Sequence, residues 1–125
     1  MNRKEWHRST SVSEALYFAL RGMRDIFVRE QNIRVQAFVG TLVVCALLFL
    51  RVSSLEIAIA IMAIILIITL EMINTSLELL ADIVHPEYSE AVKIAKDVAA
   101  GAVLLASIGA CIIGLLIFVP AILHY

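Results

Sequence analysis

The sequence predicts an all-α membrane protein in which an N-terminal amphipathic surface helix precedes three transmembrane helices. Hydrophobic residues make up 62% of its 125 residues, and the mean hydropathy is +0.95, whereas apolar residues are about half of an ordinary soluble domain. They are gathered in three long, nearly uncharged runs, which is typical of integral membrane proteins. At this length we expect a single domain, residues 1–125.

The segment before the first apolar run predicts a helix that lies on the membrane. Residues 1–12 are polar and basic, and we expect them to be flexible. In residues 13–32, apolar side chains recur every three or four positions, which is the period of an amphipathic helix. A helix that packs on the protein's own spans is a compatible alternative. The recurring apolar residues are Leu16, Leu20, Met23 and Phe27.

The three apolar runs predict transmembrane spans over residues 34–50, 55–83 and 98–123. Pro86 disfavours helix at the residue before it and so separates the second span from the third. The third helix is expected to begin near Ser89, with a polar first part.

The basic residues predict the orientation of the chain. Nine of the ten Lys and Arg residues precede the apolar run that begins at Val35 or lie between the second and third spans, and only Arg51 falls on the other side. The positive-inside rule therefore places the N-terminus in the cytoplasm.

Acidic residues in the second span point to chemistry. Glu71 follows fourteen uncharged residues, 57–70, and a charge at the bilayer centre costs roughly 2.5–3.5 kcal/mol. Glu78 and Asp82 fall within about 40° of it on the helix, with Glu71 about 10 Å deeper in the membrane than Glu78. A buried carboxylate suits a general base, and carboxylates nearer the surface suit magnesium. The alternative is that these acids only join helices by hydrogen bonds or ion pairs.

Two further polar clusters belong to the same side of the membrane. Glu30, Asn32 and Arg34 alternate just before the first span, and Lys96 and Asp97 open the third helix. A nucleoside triphosphate requires cationic groups together with carboxylates that hold its metal. The chain has no Gly-rich phosphate loop, so if ATP binds, it binds without a soluble-kinase module.

The run Glu71-Met-Ile-Asn-Thr-Ser-Leu-Glu78-Leu-Leu-Ala-Asp82 resembles the hallmark motif of the prokaryotic diacylglycerol kinases. The similarity extends over residues 13–118, in the same order and spacing. It includes Ala-Leu-Arg-Gly at 19–22, Pro-Glu-Tyr at 86–88 and Ala-Lys-Asp-Val-Ala-Ala-Gly-Ala-Val-Leu at 95–104.

The resemblance implies transfer of the γ-phosphate of ATP, with Mg²⁺, to the hydroxyl of a lipid in the bacterial inner (cytoplasmic) membrane. It implies a homotrimer with active sites between subunits, and we expect no nucleic-acid partner. The acceptor is left open between diacylglycerol, which would become phosphatidic acid, and undecaprenol, because segments 30–34 and 95–105 look more like the undecaprenol kinases.

Residue roles follow from the resemblance by position. Glu71 corresponds to the general base, and Asn74 to a polar residue beside it. Asn32 and Arg34 correspond to residues near the lipid headgroup. The metal-binding carboxylates correspond to Glu30 and Glu78, and the ATP contacts to Glu30, Glu78, Glu87, Tyr88, Lys96 and Asp97.

Some positions stay open. Arg8 does not align well enough to inherit a nucleotide contact, the aromatic expected in the surface helix is either Tyr17 or Phe18, and Asp82 receives no role. Two other functions compete with the lipid kinase. A small proton-coupled transporter would use Glu71 as a proton carrier. A membrane scaffold without chemistry would give no reason for the energetic cost of placing Glu71 in the membrane.

Overall fold

The structure, a computed structural model, describes residues 11–123. It contains four helices: α1 (Val12–Arg29), α2 (Gln31–Phe49), α3 (Ser54–Val84) and α4 (Glu90–Leu123). By length and composition, α2, α3 and α4 are each able to cross a membrane. The all-helical prediction, with a shorter helix before three spans, is confirmed. Most of the segment expected to be flexible, and Arg8 within it, lie outside the described residues.

The described chain separates after Gln31 into two compact units, and α1 makes up most of the first. Ser11 caps it, since its Oγ accepts a hydrogen bond from the Glu14 N–H at 3.2 Å. The helix ends where Glu30 takes an extended conformation, φ −93° and ψ 113°. The helix expected over 13–32 therefore stops at Arg29, and the first span begins earlier than expected, at Gln31.

A tight turn joins α2 to α3 in the second unit. The Val52 N–H donates to the Leu47 carbonyl at 3.3 Å and the Arg51 N–H to the Leu48 carbonyl at 3.2 Å. Arg51 has a φ of 54°. These features form a Schellman motif, in which a left-handed residue satisfies the last carbonyls of a helix. Val52 also packs beside Leu47, which is the apolar contact that accompanies the motif.

The next helix begins with a capping box. The Glu56 N–H donates to Ser53 Oγ at 3.3 Å, and the Ser53 N–H donates to Glu56 Oε2 at 2.8 Å. Each residue thus satisfies a backbone donor that a helix start leaves unpaired. The connection between the two helices is therefore short, residues 50–53, and α2 and α3 run antiparallel to each other.

α3 and α4 pack against each other extensively, whereas α2 meets them at fewer points. Leu47 of α2, Ala60 of α3 and Ile117 of α4 form a buried cluster near the turn. Towards the other end, α2 approaches α3 closely at Gly40, beside Ile64. Large apolar side chains elsewhere on these helices are mostly exposed. A surface of this kind is stable against lipid rather than water.

α3 and α4 are longer than the hydrocarbon core of a membrane is thick, whereas α2 is not. The 19 residues of α2 rise about 28 Å, which matches a hydrocarbon core of about 30 Å. The 31 residues of α3 and 34 of α4 rise about 46 Å and 51 Å. Both helices therefore continue beyond the level at which α2 begins.

We predict that Gly40→Ala destabilises the protein by about 1–3 kcal/mol, because the new methyl group overpacks the α2–α3 contact. Its Cβ would lie 2.7 Å from Cγ2 of Ile64, an atom on a stiff, β-branched side chain. Unfolding in detergent micelles measures the change. Gly109→Ala is the matched control, because a Cβ there meets nothing within 4 Å. Equal stability of the two variants would contradict the close approach.

Candidate active site

Glu71 is buried and held by a partner on another helix. Its side chain is 8% exposed, and its Oε1 accepts a hydrogen bond from Asn32 Nδ2 at 3.1 Å. A buried carboxylate needs such partners, because an unsatisfied one is costly to remove from water. The structure thus brings together two residues that the sequence separates by 39 positions.

This contact places Glu71 relative to the other helices. Asn32 is the second residue of α2, so Glu71 is level with the beginning of α2. Measured from the other end, Glu71 lies about 26 Å along α3. α3 continues past this level, and the depth of Glu71 in the membrane stays a prediction.

Asn74 and Glu78 form a second pair within α3. Asn74 Nδ2 donates to Glu78 Oε1 at 3.1 Å, and Asn74 is only 9% exposed. In the part of the chain that the structure describes, no donor reaches Asn74 Oδ1. The side-chain hydrogen bond of Asn74 thus goes to Glu78, the proposed metal ligand. Asn74 also lies three residues after Glu71 on the same helix, where side chains are neighbours, and its role beside the base stays a prediction. The amide that orients Glu71 is Asn32.

A third pair joins α3 to α4. Lys96 Nζ donates to Asp82 Oδ1 at 2.5 Å. Asp97, the neighbour of Lys96, instead faces solvent and lies 4.0 Å from the ammonium of Lys93, one turn earlier on α4. The structure gives Asp82 a partner that the sequence did not indicate.

The remaining candidate ATP contacts lie in the loop between α3 and α4. Glu87 and Tyr88 are both exposed there, and the ring of His85 makes a 2.9 Å hydrogen bond to the backbone carbonyl of Glu87. Pro86 lies between these two residues and fixes one backbone angle. Two exposed side chains on a short, restrained loop are accessible to a water-soluble ligand.

Two further candidates are not members of these three pairs. Glu30 belongs to the first unit, where it is half-buried at the end of α1. Arg34 is exposed on α2, two residues after Asn32. Among residues 11–123, no group of three His, Cys, Asp or Glu side chains could hold a metal ion.

An apolar groove of about 600 Å³ runs along α2, α3 and α4. Gln36 and Ile67 line it, and they lie one helical turn from Asn32 and Glu71 on the same faces of α2 and α3. The groove therefore begins about one helical turn from the buried carboxylate and runs along the spans in the direction away from it. Sequence reasoning missed it, although the four-residue spacing from Asn32 and Glu71 is the signal that leads to it.

Three apolar spans with a cluster of carboxylates, amides and a lysine at one end define a multi-pass membrane protein. A profile of the prokaryotic diacylglycerol kinases matches residues 17–118. This range includes every contact between two helices described above. The chain belongs to the prokaryotic diacylglycerol kinase family, and it is therefore a lipid kinase.

Individual relatives agree with this membership. A diacylglycerol kinase of Synechocystis is 34% identical over 98% of this chain and 71% of its own length. An undecaprenol kinase of Bacillus subtilis is 34% identical over 80% of this chain and 81% of its own. A diacylglycerol kinase of Escherichia coli is 28% identical, covering 82% and 84% respectively. Relatives with different lipid substrates thus match at the same level of identity.

We predict that Asn32→Leu lowers the free energy of unfolding by about 1–3 kcal/mol, because it leaves a buried carboxylate oxygen without its donor. In a Glu71→Leu background the same change should cost much less, since the acceptor is already gone. Unfolding of the four proteins in micelles gives the coupling energy. Independent, additive effects of the two substitutions would contradict the contact.

Proposed function

We propose that this protein transfers the γ-phosphate of ATP, in the presence of Mg²⁺, to the hydroxyl group of a membrane lipid. The acceptor we propose is diacylglycerol, with phosphatidic acid as the product. Undecaprenol is the second candidate, because the B. subtilis relative named for it has the same 34% identity as the Synechocystis relative, over 80% rather than 98% of this chain. The observation that carries the proposal is a buried carboxylate, Glu71, one helical turn beyond Ile67, which lines an apolar groove.

Glu71 is the proposed general base. Asn32 donates a hydrogen bond to one carboxylate oxygen of Glu71. The other carboxylate oxygen can accept the proton of the lipid hydroxyl while the hydroxyl oxygen attacks the γ-phosphorus and ADP leaves. The amide donor is neutral and fixes the direction of the carboxylate without removing its charge. The hydrocarbon chain of the lipid would extend from this point into the groove beside Gln36 and Ile67.

Glu78 and Glu30 are the proposed ligands for the metal that accompanies ATP. Carboxylate oxygens are the ligands that Mg²⁺ prefers, and it is often held by one or two of them together with substrate phosphates. Glu78 fits this role, because it is half-exposed and its Oε1 is oriented by Asn74. A divalent metal would offset the negative charge of the phosphates. Glu87, Tyr88, Lys96 and Asp97 complete the proposed nucleotide contacts.

We further propose that residues 1–125 form one functional domain and assemble as a homotrimer in the bacterial inner membrane, with the N-terminus in the cytoplasm. The exposed apolar side chains of α2, α3 and α4 supply surface for both lipid and neighbouring copies. The distribution of Lys and Arg supports the orientation, since basic residues are retained on the cytoplasmic side.

We predict that Glu71→Gln abolishes phosphotransfer while nucleotide binding stays within a few fold of the unaltered protein. The amide keeps the size of the side chain but cannot accept the proton, a change expected to cost at least 10²-fold in rate. Labelled ATP and Mg²⁺ are supplied with diacylglycerol or undecaprenol in parallel micelles. Glu90→Gln, which neutralises an exposed acid on α4, is the control and should retain activity. Normal lipid phosphorylation by Glu71→Gln would exclude Glu71 as the base.

We predict that Glu78→Gln raises the Mg²⁺ concentration needed for half-maximal activity by roughly tenfold or more, because an amide is a weaker ligand than a carboxylate for a hard cation. Binding of Mn²⁺ in the presence of ATP, followed by electron paramagnetic resonance, should weaken in parallel. An unchanged metal requirement and unchanged Mn²⁺ binding would remove Glu78 from the metal site.

A further inference from the structure

Asp82 and Lys96 form an ion pair between α3 and α4. Lys96 Nζ lies 2.5 Å from Asp82 Oδ1, whereas the other two exposed pairs, Arg21–Asp25 and Lys93–Asp97, are both at 4.0 Å. Those two pairs lie within single helices, and the Asp82–Lys96 pair joins two. It therefore fixes one end of α4 against α3.

Lys96 is restrained in a way that its neighbours are not. Its side chain is 32% exposed, compared with 63% for Lys93 and 68% for Asp97. Its hydrocarbon stem is therefore covered by protein, while its partner Asp82 remains 66% exposed. A lysine held in this way has already lost much of the rotamer freedom that a ligand would otherwise have to restrict.

The position of this ammonium relative to Glu78 follows from helix geometry. Asp82 lies four residues after Glu78 on α3, on the same face and about 6 Å further along the axis. The Lys96 ammonium, bound to Asp82, is thus held about one helical turn beyond the Glu78 carboxylate. Only one of its three N–H donors is required for the bond to Asp82.

We propose that Asp82 is a positioning residue that holds Lys96 where it can bind the phosphate chain of ATP. This rests on the proposed function, in which the metal at Glu78 carries the nucleotide. The ammonium then provides a second point of attachment one turn away along α3. Because Asp82 orders the lysine before ATP arrives, the nucleotide does not bear that entropic cost.

The test is a kinetic comparison of Asp82→Asn with the unaltered protein. Removing the charge releases Lys96, and we expect the KM for ATP to rise roughly fivefold, the upper end of the range for an exposed ion pair. We expect kcat and the KM for the lipid to stay within twofold, since Glu71 and the groove are untouched. Asp82→Glu restores the partner and should bring the KM for ATP back towards its original value.

Glu90→Gln serves as the matched control, because it removes the same charge from an exposed position on α4 without breaking the pair. An unchanged KM for ATP in Asp82→Asn would overturn the positioning role. A lower kcat together with a higher lipid KM and a lower thermal stability, not restored by Asp82→Glu, would also overturn it. That pattern is the one expected of a bond with a purely structural role. Failure of the proposed function is distinguishable, because the unaltered protein would then phosphorylate no lipid.

Discussion

The hydrogen bond between Asn32 and Glu71 is the contact on which the rest of the site depends. A carboxylate that is 8% exposed among apolar helices requires a donor, and the structure supplies one from the first turn of α2. The hydrogen bond thus helps to set the axial register of α3 relative to α2. Once this register is fixed, the period of the helix determines where Asn74, Glu78 and Asp82 lie beyond it.

In the proposed function, the difference in helix length lets one site receive two very different substrates. Beyond Glu71, α3 continues for thirteen residues to Val84, about 20 Å, and α4 accompanies it. Below Glu71 the same helices line an apolar groove. The carboxylate therefore lies at the boundary between a surface suited to hydrocarbon chains and a two-helix projection that carries most of the polar groups. Lipid and nucleotide can reach this boundary from opposite sides.

The sequence predicted the helices well because their signal is local. Long apolar runs, a helical period and a breaking proline define α2, α3 and α4 with little help from packing. The capping box at Ser53 and Glu56 was also readable from its spacing, but went unnoticed. The break at Glu30 has no comparable signal, since no glycine or proline marks it.

The partners of the acidic residues had to come from the structure, because they depend on the register between helices. They also differ in a way that matches their proposed roles. Amides hold Glu71 and Glu78, whereas an ammonium holds Asp82. A neutral donor orients a carboxylate and leaves its charge available for a proton or a metal, while a lysine offsets the charge it binds. The two acids proposed for chemistry are therefore oriented by neutral donors. Asp82 is instead paired with the charged lysine that we propose it positions.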